Sequence, residues 1–206
     1  MRVVEKLEYE GKGLNLTAEV REGIARHSKG RGEILESDPG EISKTLEGQI
    51  VRVSDVIAYV NHDIDDAIRA GIIRDEDIPP ALVKSLGKWH ASRIDRLVED
   101  VIKSSLETDL EKIAMSDEIL RALVGLREFL YQKVYNSPFA REEVKKAKKI
   151  LTDLYRYVLA GPNDYIKPFP KGDSAERRAA DFIAGMTDLY ALALFEKLFF
   201  PRSWRS

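Results

Sequence analysis

Apolar residues recur every three or four positions along most of this chain, and the pattern runs longest from Lys44 to Gly71, KTLEGQIVRVSDVIAYVNHDIDDAIRAG. At about 100° per residue, Ile50, Val53, Val56, Ile57, Val60, Ile64, Ala67 and Ile68 gather on one arc, which predicts a core helix closed by Gly71 as C-terminal cap. The opposite side carries Glu47, Arg52, Asp55, Tyr59, His62, Asp63 and Asp66. Asp55, Tyr59 and Asp63 stand at i, i+4 and i+8, a row about 12 Å long at 1.5 Å per residue. A solvated face is the plainest reading of such acids, since charged side chains are mostly exposed. Acids four residues apart repel by roughly 0.2–0.5 kcal/mol, a cost that a bound cation or substrate hydroxyl would offset.

The same periodicity organises the rest. Val3, Val4 and Leu7 have helical spacing that stops at Gly11-Lys12-Gly13, and Thr17 is placed to cap a helix from Ala18 to His27. Ser28 to Ser43, rich in Gly and Ser, reads as a long loop of the kind that often carries function. After the long helix, Asp75 to Pro80 opens a short helix ending at Gly87, with proline in the tolerant first turn. Lys88 to Leu106 carries Ile94, Leu97, Val98, Val101 and Ile102 on one face. Ser116 caps a helix from Asp117 to about Tyr135, ended before Pro138, and Phe139 to Leu159 forms another. Gly161 to Asp164 is a turn, Pro168 to Gly172 is irregular, and Ser174 caps Ala175 to about Phe200, stopped by Pro201. No strand-like alternation persists, so the expected fold is all-α, a multi-helix bundle in a single domain spanning residues 1–206.

Composition narrows the classes of function. A chain of 206 residues with 44% hydrophobic and 33% charged residues can bury a substantial core. The net charge of −2 gives no global basic excess, so nucleic acid is not expected as the primary partner. Absence of cysteine excludes thiolate catalysis, disulfides and Cys-ligated zinc, and no apolar run approaches the roughly 18–20 residues of a membrane span. A charged N-terminus, MRVVEKLEYEG, makes the cytoplasm the default location.

Two further groupings carry possible chemistry. Arg127, Tyr131 and Tyr135 repeat the i, i+4, i+8 spacing, and an Arg can fork onto a phosphate while a Tyr stacks on a base or sugar. The plainer alternative puts the tyrosines at the core boundary and Arg127 in water. Lys145, Lys146, Lys148 and Lys149 read as a solvated helix face. The three histidines, His27, His62 and His90, are widely spaced with no paired-ligand motif, and His62-Asp63 project about 100° apart on a helix. Counting residues alone predicts no closed metal site.

Four ordered runs carry a resemblance that covers nearly the whole chain: LNLTAEVREGIARHSKG (Leu14–Gly30), TLEGQIVRVSDVIAYVNHDIDDAIRAG, LREFLYQKVY (Leu126–Tyr135) and DFIAGMTDLYAL (Asp181–Leu192). Together they resemble the deoxyguanosine triphosphate triphosphohydrolases of the HD superfamily, enzymes that cleave a dNTP to deoxynucleoside and triphosphate. The resemblance implies a divalent cation (Mg, Mn, Fe or Zn) held by a ligand set written H…HD…D. It makes Asp55 the last metal ligand, Tyr59 and Tyr135 neighbours of the sugar and base, Asp63 the acceptor of the 3′-hydroxyl, and Arg127 a phosphate contact. His62 is not the histidine of the family's HD pair. In the family the earlier ligands precede the segment that begins here as RVVEKLE, so the chain resembles an N-terminally truncated member holding one ligand of four. The expectations are that it does not bind the cation or hydrolyse dNTPs alone, that it self-associates as a homo-oligomer, and that a second polypeptide supplying the H…HD portion could complete the site. A nucleotide-binding or oligomerising helical module without catalysis is the alternative.

Overall fold

A computed structural model describes residues 1–28, 32–35, 40–161, 165–166 and 170–201. Among the described residues, eight main helices follow in order: α1 (Ala18–Arg26), α2 (Leu46–Arg69), α3 (Pro80–Leu86), α4 (His90–Leu106), α5 (Asp117–Leu130), α6 (Pro138–Ala160), α7 (Ala175–Ala184) and α8 (Asp188–Phe199). No residue among those described is in a strand, and the fold is all-α. None of the described helices is long and apolar enough to cross a membrane.

The chain divides into two compact units, one of Met1 with Leu16–Ala140 and one of Arg2–Asn15 with Arg141–Ser206. In the first, α2 packs against α1, α4 and α5, and α3 against α4 and α5. Val53, Val56, Ile57, Val60, Ile64 and Ala67 of α2 are buried with Leu97 of α4 and Ile119, Leu123, Leu126 and Leu130 of α5. Thr45 caps α2 by accepting from the Gly48 N–H at 3.2 Å. At its other end, Gly71 takes φ +68° while Ile72 N–H bonds Ala67 and Gly71 N–H bonds Ile68, the paired bonds of a Schellman cap. Close approach of α1 to α2 depends on two glycines. A Cβ on Gly48 would lie 3.2 Å from Gly23 Cα and 2.2 Å from Ser43 Oγ.

Three parts of the apolar pattern turn out differently. Ile50 is 47% exposed at the edge of the α2 arc, and Val98 and Ile102 are likewise exposed at the edge of the α4 face centred on the buried Arg93, Leu97 and Ser105. Arg52, read from its angle as part of the polar side, is buried at 5% exposure. It spends its guanidinium on backbone carbonyls, as the buried cation must. The helix expected from Ala175 to Phe200 is two helices: Gly185 closes α7, and Thr187 restarts the chain by accepting from Tyr190 N–H at 3.2 Å.

In the second unit, Leu154, Ala191 and Leu194 form a small buried cluster flanked by Ile150, Phe182, Ile183 and Phe195. Arg2 reaches both Asp173 and Asp181, with Nε 2.7 Å from Asp181 Oδ1. That hydrogen bond holds the Asp181 carboxyl below its usual range. Tyr9 and Glu10 sit at positive φ where the N-terminal helical turn of Val3–Leu7 breaks. The turn read at Gly161 to Asp164 and the irregular stretch from Pro168 fall largely outside the described residues.

Candidate functional site

The buried side of α2 fixes where its opposite side points. With Val53, Val56, Val60 and Ile64 locked in the core, Asp55, Tyr59 and Asp63 emerge half-buried along one edge. Asp55 and Tyr59 line a narrow cleft together with His27, Ser28, Gly32, Glu33, Arg52 and Val56, and Arg127 of α5 closes its far wall. Two elements distant in sequence thus bring a carboxylate, a phenol and a guanidinium to one place.

One and two turns further along, the row continues. Asp63 accepts a hydrogen bond from the Tyr135 hydroxyl. Tyr135 sits in a wide helical turn, Tyr131–Tyr135, that extends α5 and carries its side chain back toward α2. Burial, and next the bond to Asp63, push the Tyr135 phenol above the ordinary tyrosine range. It therefore remains a protonated donor throughout the neutral range.

Backbone carbonyls of residues 32–34 are drawn into the cleft by its arginines. Arg52 donates to the Ile34 carbonyl at 3.1 Å, to that of Glu33, and to that of Arg26 at 3.4 Å. Arg127 donates Nη1 to the Gly32 carbonyl at 2.9 Å. The space left is about 20 Å³, room for on the order of one water, whereas small-molecule pockets run to roughly 300–1,000 Å³. A ligand of nucleotide size does not fit this space as it stands.

Residue counting did not single out the cleft's other titratable members, His27, Glu33 and Arg52. His27 Nδ1 lies 2.6 Å from the Ile24 carbonyl, to which it donates. The signal was present as the glycine pair: α1 meets α2 where Gly23 faces Gly48, so residues one turn beyond each, His27 and Arg52, arrive together. Tyr131 is half-buried and does not line the cleft, and Lys145, Lys146, Lys148 and Lys149 are all exposed on α6.

The donor set can be compared with the needs of a cation. Among the described residues, no three His, Cys, Asp or Glu side chains gather so as to hold a metal ion. Asp55 therefore does not find, among these residues, the partners that the H…HD…D pattern requires, because a catalytic divalent ion rests on several protein ligands.

Comparison with known proteins bears on the whole chain. A family model described as a phosphohydrolase-associated domain matches residues 113–197. A deoxyguanosinetriphosphate triphosphohydrolase-like protein of Desulfatibacillum aliphaticivorans is 43% identical over 98% of this chain and 60% of its own length. Its counterpart from Caldanaerobacter subterraneus subsp. tengcongensis is 45% identical over 99% of this chain and 58% of its own length. A third, from Bordetella pertussis, is 30% identical over 97% of this chain. The chain spans about three-fifths of the length of the first two relatives. It is, over nearly all of its residues, a homologue of the deoxyguanosinetriphosphate triphosphohydrolase-like proteins of the HD superfamily.

Proposed function

We propose that the chain is the nucleotide-holding portion of a dNTP triphosphohydrolase, and that by itself it binds a deoxynucleotide without hydrolysing it. The observation that carries this reading is the convergence of Asp55 and Tyr59 with Arg127 on one cleft, continued by the Asp63–Tyr135 pair. Each side chain has a chemical task there. Arg127 offers N–H groups beyond the one given to Gly32, a geometry suited to phosphate oxygens. Tyr59 presents a flat face to a sugar ring, and Tyr135 reaches sugar or base. Asp63 exchanges its bond from Tyr135 for one from a sugar 3′-hydroxyl, a substitution that leaves no buried acceptor unpaired.

A divalent ion in such an enzyme lowers the pKa of bound water and polarises phosphoryl oxygens. Asp55 is the residue of this chain that would ligate it, and the remaining ligands would come from elsewhere. Hydrolysis is therefore absent in the isolated chain. Incubation with each dNTP and Mn²⁺ or Mg²⁺ gives no triphosphate above that of Asp55→Ala protein, and stoichiometric release from the wild type alone would refute this.

A second reading starts from the lack of a three-ligand group among the described residues, and has another polypeptide complete the site. Mixing with a fragment bearing an H…HD pair restores Asp55-dependent hydrolysis in that case, and does nothing if the chain is only a binding module.

A further inference from the structure

His62 and His90, 28 positions apart in sequence, have ring centres 5.0 Å apart at an interplanar angle of 45°. His62 is exposed on α2, and His90 opens α4. A buried network holds the carboxylate beside the second ring. Arg93, 2% exposed, donates to Asn61 Oδ1 at 2.8 Å, to the Lys88 carbonyl at 2.7 Å and to Asp65 Oδ1 at 3.0 Å, which binds the start of α4 to α2. The other oxygen of Asp65 lies 2.9 Å from His90 Nδ1. That nitrogen is buried and has no aligned hydrogen bond, so the contact is one of position.

We propose that His62 and His90 form a two-imidazole site for a borderline transition-metal ion, Zn²⁺ in the first instance, with Asp65 as positioning residue. Three features point to a metal beyond a chance pair of rings. First, two imidazoles on a tetrahedral Zn²⁺ with Zn–N of about 2.0–2.1 Å place their ring centres about 5.2 Å apart, close to the separation found. Second, a carboxylate at Nδ1 sets the tautomer that frees Nε2 for the ion, the carboxylate–histidine–metal arrangement. A metal on Nε2 puts the ring proton on Nδ1, and a small rotation turns the Asp65 contact into a charge-assisted hydrogen bond, satisfying the orphaned nitrogen. Third, Asp65 is already anchored by Arg93, so the second ligand sits on a fixed frame. Solvent fills the remaining coordination positions, consistent with the absence of a three-residue ligand cluster among the described residues.

The site stands apart from the cleft. His62 lies seven residues beyond Asp55, about 10 Å along the helix axis. An ion there joins α2 to the first turn of α4.

Titration of the purified chain with Co²⁺, followed by its visible absorption, and with Zn²⁺ by calorimetry tests the proposal. One equivalent binds to the wild type, and Zn²⁺ raises the melting midpoint. His62→Ala abolishes uptake while leaving the metal-free circular dichroism and melting unchanged, because the side chain is exposed. Asp65→Asn weakens binding by about 10–100-fold. Asp55→Ala leaves it intact. Absence of stoichiometric uptake, uptake that survives His62→Ala, or uptake lost in Asp55→Ala alone would each overturn the assignment. None of these results bears on nucleotide binding at the cleft.

Discussion

At the scale of single residues, Arg52 shows what helical angle can and cannot foresee. Its position on α2 places it beside Asp55, yet the guanidinium turns inward and satisfies carbonyls of residues 26, 33 and 34. Arg52→Met strands the buried Ile34 carbonyl and two part-buried ones and is expected to cost roughly 2–4 kcal/mol, measured by urea denaturation, with faster amide exchange in residues 32–35. Asp55, Tyr59 and Asp63 were legible as a row because helical periodicity alone fixes relative direction. The convergence of Asp55 and Tyr59 with Arg127 came only through the resemblance, since pairing α2 with α5 is a tertiary fact. His62 and His90 were legible as residues and illegible as neighbours, the contact depending on how Arg93 ties α4 down. At Tyr135, a raised folded pKa means the neutral phenol's contribution is complete below the unfolded value of about 10 and fades as pH rises past it. Absorbance at 295 nm should show one late-ionising tyrosine that Tyr135→Phe removes and Asp63→Asn shifts back toward the ordinary range. Tyr135→Phe costs about 1 kcal/mol, the net worth of one partly exposed hydrogen bond.

At the scale of elements, starts and stops were written plainly where a cap residue carries them. Thr17, Ser116 and Ser174 each accept from a backbone N–H in the first turn of α1, α5 and α7. The break between α7 and α8 escaped the pattern because the apolar spacing runs on across it, and Gly185 with Thr187 outweighs that continuity. Removing the restart by Thr187→Ala should cost about 1 kcal/mol in chemical denaturation. The α1–α2 crossing makes a prediction with the opposite sign from propensity. Gly48→Ala favours helix by roughly 0.8–1.0 kcal/mol, but its Cβ would collide with Ser43, so a net loss of about 1–3 kcal/mol is expected. A neutral or stabilising result would mean that α1 and Ser43 yield more easily than their burial implies.

At the scale of the whole molecule, the two units have separate supports and separate sensitivities. The second leans on Arg2 with Asp173 and Asp181. Because the Asp181 carboxyl is held down by Arg2, its contribution is present above the unfolded value of about 4 and is lost as pH falls through the folded one. The stability gap between wild type and Arg2→Gln is thus widest near neutrality and closes in acid. The first unit holds the cleft, whose proposed task is to accept a nucleotide. Calorimetric titration of the wild-type chain and its Arg127→Ala variant with dGTP, in the presence of EDTA, tests this most directly. Saturable binding by the wild type, weakened about tenfold or more by Arg127→Ala, is the predicted result. Absence of binding up to millimolar dGTP, or equal binding by both proteins, would contradict it.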